Sequence, residues 1–252
     1  MKTVIITKKH LLLCLSTVLA VVAVCLVAFG STATHDRRLP IYCVETDKKQ
    51  IAISFDAAWG NEDTETLIGI LKEYQVPATF FVVGSWVDKY PESVKALADA
   101  GHQVQNHSNT HPYLSQLSES QICDEIESCN RKIETVSGVK PTLLRPPYGD
   151  YDNCVVETVQ SLGMFPIQWS VDSLDWKDSA TADSIYNRVV SKVKPGSIVL
   201  FHNAAKCTPQ ALPRILEALK KDGYEFVLIS DLIYKENYEI DNAGKQCRCE
   251  KE

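Results

Sequence analysis

The sequence has nine cysteines but no Cys-x-x-Cys pair, so a structural zinc ribbon or finger has no ligand set here. It lacks a basic cluster: 26 Lys and Arg stand against 32 Asp and Glu, a net charge of −6, which leaves no footprint for a nucleic-acid partner. It also lacks internal repeats and low-complexity tracts. An apolar fraction of 45% excludes wholesale disorder, and 252 residues suffice for one large α/β domain.

One long apolar run is present, at the start. Lys2, Lys8, Lys9 and His10 precede a nearly continuous apolar stretch from Leu11 to Phe29. This reads as a signal peptide or a signal-anchor helix within residues 1–30, with Ala28-Phe29-Gly30 offering small residues for cleavage. In either case the basic flank stays inside, so the rest of the chain is expected outside the cytoplasm, at the membrane through one transmembrane helix or secreted. Residues 31–48 are polar and read as a stalk, residues 49–235 as the folded domain, and residues 236–252 as a charged, disordered tail. Cysteines outside the apolar segment are expected as plain thiols, with no bridge specified by their spacing.

Between the ends, seven apolar runs alternate with helical patterns. Strands are predicted at 51–55, 78–83, 103–106, 142–145, 165–169, 198–202 and 225–229. Helices are predicted at 63–74, 91–100, from a capping box at Ser118 and Gln121 through Ile133, and at 152–162, 181–193 and 209–222. Such alternation implies a parallel sheet with helical crossovers. With seven strands, a barrel that need not close fully fits better than an open sheet.

Four strand ends carry chemistry. Ser54-Phe55-Asp56, His107-x-x-x-His111, Arg145-Pro146-Pro147-Tyr148-Gly149 and Leu200-Phe201-His202 each follow an apolar run. Parallel folds gather the carboxyl ends of their strands on one face and put their active sites there. Asp56 is costly to bury unless paired or working, and is a candidate general base. His107 and His111, four apart on an expected helical turn, would share a face and reach one metal ion. Arg145 could hold Asp56 ionised. Tyr148, after two prolines and before Gly149, could present its main-chain N–H to an oxyanion. Asp172-Ser-Leu-Asp175-Trp176 supplies two acids, either of which could orient His202, and an aromatic floor for a sugar ring. His202 itself reads as a general acid for a leaving amine.

Together these motifs resemble the NodB-homology polysaccharide deacetylases, carbohydrate esterase family four, and most of all the membrane-anchored, sporulation-type peptidoglycan deacetylases. The resemblance covers residues 49–232. It implies a distorted (β/α)7 barrel that removes N-acetyl groups from a cell-wall glycan with the help of a divalent metal such as zinc. It also implies roles: Asp56 as base, Arg145 holding it, His107 and His111 as metal ligands, and Tyr148 as oxyanion donor. Asp175 would support the general acid His202, with Asp172 as its substitute, and Trp176 and Leu200 would wall the acetyl group. One position departs from the pattern. The family's first motif reads Phe-Asp-Asp-Gly, its second Asp binding metal; here it reads Phe55-Asp56-Ala57-Ala58. Alanine cannot ligate, so the third metal ligand is missing. Two other functions stay open: a catalytically silent glycan-binding or spore-envelope protein, and an O-acetyl esterase.

Overall fold

The computed structural model describes residues 37–249. The expected membrane segment and residues 31–36 of the expected stalk lie outside the described residues. Among the described residues no helix is long and apolar enough to cross a membrane.

The chain enters through a short strand, β1 (Cys43–Val44), then β2 (Gln50–Ala57). Next come helix α1 (Thr64–Glu73), β3 (Ala78–Val82), α2 (Gly84–Lys89), α3 (Pro91–Asp99) and β4 (Gln103–Asn106). A long α4 (Glu119–Ser137), opened by the Ser118–Gln121 capping box, leads to β5 (Leu143–Leu144), α5 (Asn153–Ser161), β6 (Phe165–Pro166) and β7 (Val171–Asp172). The chain closes with α6 (Ala182–Lys192), β8 (Ile198–His202), α7 (Thr208–Lys221), β9 (Glu225–Phe226), α8 (Ile229–Leu232), β10 (Tyr238–Ile240) and β11 (Lys245–Arg248).

The main sheet has the order β6-β5-β4-β3-β2-β8-β7, all parallel, with β9 also pairing β2. No ladder joins β6 to β7 among the described residues, so the curled sheet is a half-barrel. Each of the seven predicted strands has a counterpart, shorter where predicted from 142, 165 and 225. β7 and α2 lie in stretches where no element was predicted, and α8 takes the end of the last predicted strand.

The centre is β2. Its alternation sends Ile51, Ile53, Phe55 and Ala57 into the apolar cluster under the helices, where Phe55 stacks between Phe80 (4.7 Å) and Phe201 (5.6 Å). Ser54 and Asp56, on the opposite face, point into the curl. Parallel pairing on both sides of β2 sets Asp56 beside Phe81 and His202.

Two terminal expectations are corrected. Residues 38–48 are not a free stalk. Ile41 and Val44 are buried in a cluster with Phe81, Ile167 and Ile198, and the Ile41 N–H donates to the Pro166 carbonyl at 2.9 Å. Nor is the stretch after 236 disordered: β10 and β11 pair antiparallel, and β11 pairs β1. The fully buried Gln246 amide clips both backbone groups of Tyr234, at 2.8 and 2.7 Å. Gly244 (φ +79°) makes the turn, where a Cβ would come within 2.2 Å of the Tyr42 ring. A charged stretch is ordered here because its alternate residues face the domain. The seven cysteines among the described residues are free thiols.

Candidate active site

The strand ends deliver their side chains into one cavity of about 500 Å³, lined by Asp56, Ala58, Trp59, His107, His111, Tyr148, Trp169, Asp172, Trp176, Leu200 and His202. All the residues expected at the site line it except Arg145 and Asp175, which sit directly behind Asp56 and His202.

Arg145 is wholly buried. One guanidinium nitrogen donates to Asp56 Oδ1 at 2.8 Å; another donates to Ser54 Oγ (2.9 Å) and the Gln168 carbonyl (3.1 Å). Its plane lies 4.2 Å over the Phe81 ring. Burial opposes charge on Asp56, but Arg145, then His107 and His202, outweigh it and hold the carboxyl below the usual carboxylate range. Asp56 is therefore an ionised, fixed carboxylate with Oδ2 turned to the cavity side.

The second pair mirrors the first. Asp175 is 3% exposed. Its Oδ1 lies 2.8 Å from His202 Nδ1, and its Oδ2 accepts the His202 N–H (2.9 Å) and the Thr208 hydroxyl (2.7 Å). Burial disfavours imidazolium, yet the Asp175 hydrogen bond and charge, with Asp56 and Asp172 behind them, raise His202 above its ordinary value. With Nδ1 committed to Asp175, Nε2 is the ring nitrogen left for the cavity. Of the two candidate acids, Asp175 makes the contact; Asp172 instead accepts the Leu174 N–H through Oδ1 at 2.8 Å.

His107 and His111 do converge, with ring centroids 5.0 Å apart and planes at 68°. The expected helical turn is absent. The connection is a loop with Ser108 (φ +66°) and His111 (φ +63°) left-handed, held by Asn106 Oδ1 on the Ser108 N–H, Ser108 Oγ on the His111 N–H, and Glu125 on two further amides. His107 Nδ1 donates to the Arg145 carbonyl at 2.7 Å, leaving the Nε2 lone pair 3.6 Å from Asp56 Oδ2. Burial holds His107 below its ordinary value, and burial followed by the neighbouring His107 lowers His111 to about 4.

Two neutral imidazoles can offer lone pairs to a cation. Position 57 offers only a methyl group, buried in the apolar cluster on the face away from Asp56, and the residue that reaches the cavity is Ala58. Among the described residues no group of three His, Cys, Asp or Glu has the placement to hold a metal. The donor set does not fit a catalytic site with three protein ligands.

Tyr148 is itself left-handed (φ +60°), after Pro146 and Pro147. Its ring stacks on Tyr113 (4.2 Å, 15°) and meets His111 edge-on at 4.5 Å. Five large apolar side chains are left exposed among the described residues. Trp59, Tyr148 and Trp176 line this cavity and Tyr113 stacks on Tyr148; only Val139 lies elsewhere in the chain, at the end of α4. Exposed aromatic faces concentrated at one mouth mark a ligand surface. Sequence reasoning missed Trp59, Trp169, Tyr113 and the supporting hydroxyls of Ser54 and Thr208. An Ala-Ala-Trp-Gly break directly after a strand end was the available signal for Trp59.

The family model for polysaccharide deacetylases matches residues 44–167. The chain is 33% identical over 202 residues to the peptidoglycan-N-acetylmuramic acid deacetylase PdaA of Bacillus subtilis, an alignment spanning 79% of this chain and 77% of that one. The chain belongs to the polysaccharide deacetylase family. It is also 34% identical over 194 residues to the uncharacterised protein YlxY of B. subtilis, covering 77% of this chain but only 60% of the length of YlxY. Among solved structures it is similar to a CE4 family pseudoenzyme from Bacillus anthracis, with a TM-score of 0.75 and 36% identity over 78% of this chain and 69% of the other. A mutant of that pseudoenzyme with restored enzymatic activity superposes equally well.

Proposed function

We propose that this polysaccharide deacetylase removes N-acetyl groups from peptidoglycan, with Asp56 as general base and His202 as general acid. The observation that carries this reading is the facing of two pairs across one aromatic-rimmed cavity: the Asp56 carboxylate held by Arg145 at 2.8 Å, and the His202 imidazole held by Asp175 at 2.8 Å, which favours its protonated form. A silent binding domain has no use for that pairing. Asp56 takes a proton from a water whose oxygen adds to the acetyl carbonyl carbon. The main-chain N–H of Tyr148 is the donor we assign to the resulting oxyanion. His202 Nε2 then protonates the amide nitrogen as the C–N bond breaks, releasing acetate and leaving a free amine. The family's metal would act as a Lewis acid on the carbonyl. With position 57 unable to ligate, no step here is routed through it, and we propose at most weak metal binding by His107 and His111.

This reading sets the pH profile. Asp56 must be ionised and titrates below 3.8; His202 must be protonated and titrates above 6.5. Acetate release from acetylated wall glycan should therefore give a kcat/KM plateau between those values and an alkaline limb above 6.5. An alkaline limb at or below 6.5, or a rate that rises with pH throughout, would remove His202 from the acid role. Running the assay on N-acetylglucosamine oligomers and on muramic-acid-containing glycan decides which amino sugar is attacked.

We further propose that residues 11–29 hold the domain on the outer face of the membrane, since the basic flank precedes the apolar run. Protease added to wall-stripped intact cells should digest the domain. Digestion only after lysis would refute the outward placement.

A further inference from the structure

Trp59 is the most exposed aromatic on the acid side of the cavity that no part of the mechanism above uses, apart from Trp176. Its ring is half exposed, yet the backbone that carries it is tightly fixed. The carbonyls of Trp59 and Gly60 each accept from the Asn203 side-chain amide at 2.6 Å, and the Gly60 carbonyl also accepts from the Trp86 indole at 2.6 Å. Asn203 follows His202 in the chain, and its own N–H donates to the Asp56 carbonyl at 3.1 Å. Gly60 is left-handed (φ +42°), and a Cβ there would lie 2.3 Å from Glu62 Oε2 and 2.8 Å from Ala204 Cβ. The loop is therefore clipped to the end of β8 at the residue beside the general acid.

The clip leaves the indole nearly parallel to the His202 ring, centroids 6.1 Å apart and planes within 11°. Trp59 also lines two neighbouring clefts, of about 290 and about 590 Å³. It is the shared wall between the reaction cavity and the open surface beyond it.

We propose that Trp59 is a positioning residue for His202: the indole flanks the imidazole in a near-parallel, offset arrangement, keeps the ring on Asp175, and shields it from solvent on the cleft side. An aromatic face favours a cation stacked on it, so the contact is stronger for imidazolium than for neutral imidazole. Aliphatic bulk would fill the same space without that preference. The inference rests on His202 being the general acid, but the stacking can be measured without turnover. The charged and titratable groups around His202 are Asp175, Asp56 and Asp172, with His107 and His111 across the cavity and Lys177, Asp178, Lys206 and Cys207 along the side cleft.

The test uses the full chain and the Trp59→Phe, Trp59→Leu and His202→Gln variants. A protonated imidazole stacked on an indole quenches its fluorescence. Native emission should rise as pH increases through the His202 titration, and the step should vanish in Trp59→Phe and in His202→Gln. A step of unchanged size in Trp59→Phe overturns the stacking. In the kinetic arm, KM should rise in both variants because Trp59 lines the cavity, while kcat should fall roughly tenfold in Trp59→Leu and stay within about threefold of native in Trp59→Phe. Equal rescue by Leu and Phe would make Trp59 a plain wall and overturn the positioning role. A chain with the fluorescence step but no acetate release would keep the stacking and count against the deacetylase reading alone.

Discussion

Replacing Asp56 with Asn is expected to cut acetate release by roughly 10²- to 10⁴-fold while glycan binding persists. Asn keeps the shape of the side chain and still offers Arg145 an acceptor, so the fold should survive. It cannot take the proton from water. The reaction cavity is otherwise left intact, because the aromatic faces of Trp59, Tyr148 and Trp176 do not depend on the carboxylate. Binding followed by tryptophan fluorescence, alongside acetate release, separates the two effects. Loss of binding with turnover per bound glycan unchanged would show that Asp56 positions ligand and is not the base.

Arg145→Met should have the largest effect on stability. Arg145 has no exposed surface, and its charge is balanced within the barrel by Asp56. Met fills much of the same volume but leaves Asp56 as an uncompensated buried carboxylate. Breaking one side of a buried pair costs on the order of 3–5 kcal/mol. For a domain of this size that is a fall in Tm of roughly 10 °C.

The pH dependence should weaken locally. In the native protein the pKa of Asp56 is depressed, so its contribution is fully present above 3.8 and is lost as pH falls through the folded value. Without Arg145, burial is opposed only by His107 and His202, so the carboxyl rises from its native value and Arg145→Met loses less stability in acid than native does. Adding Asp56→Asn to Arg145→Met should recover part of the loss, a non-additivity expected of two groups in direct contact. Thermal melts of the four proteins at neutral and acid pH measure this. An Arg145→Met variant within about 1 kcal/mol of native, or strict additivity in the double variant, would mean the pair is not coupled as the 2.8 Å contact implies.

The acid–base half of the site was legible because parallel topology converts sequence motifs into spatial neighbours. A side chain at the carboxyl end of a strand must arrive at the same face as its counterparts, and Asp56, His107, Arg145 and His202 each end such a run. The register on β2 then places Asp56 opposite His202. The two histidines were paired for an incorrect local reason. Helical spacing suggested a shared face, whereas a loop with left-handed residues at 108 and 111 brings the rings together.

Other features had no local signal. β1 pairs with β11 across about 200 residues, and nothing in the short apolar run from Ile41 to Val44 announces a partner at Lys245. Of the predicted strands, those from 142, 165 and 225 keep only two paired residues each in β5, β6 and β9, a length that their own propensity does not set. Position 57 has no ligating atom, and only the structure shows that its methyl packs in the apolar cluster.

The cleft is expected to hydrolyse acetamido groups by the Asp56–His202 pair with little reliance on metal. The most direct measurement is acetate release from acetylated wall glycan by the native protein and by Asp56→Asn, each with chelator and with added zinc. The account predicts native activity changed only slightly by either addition, and an Asp56→Asn rate that zinc does not restore. Native activity abolished by chelator and returned by stoichiometric zinc would contradict it. That result would mean His107 and His111 recruit a third ligand on binding and that the metal, rather than the acid–base pair alone, carries the reaction.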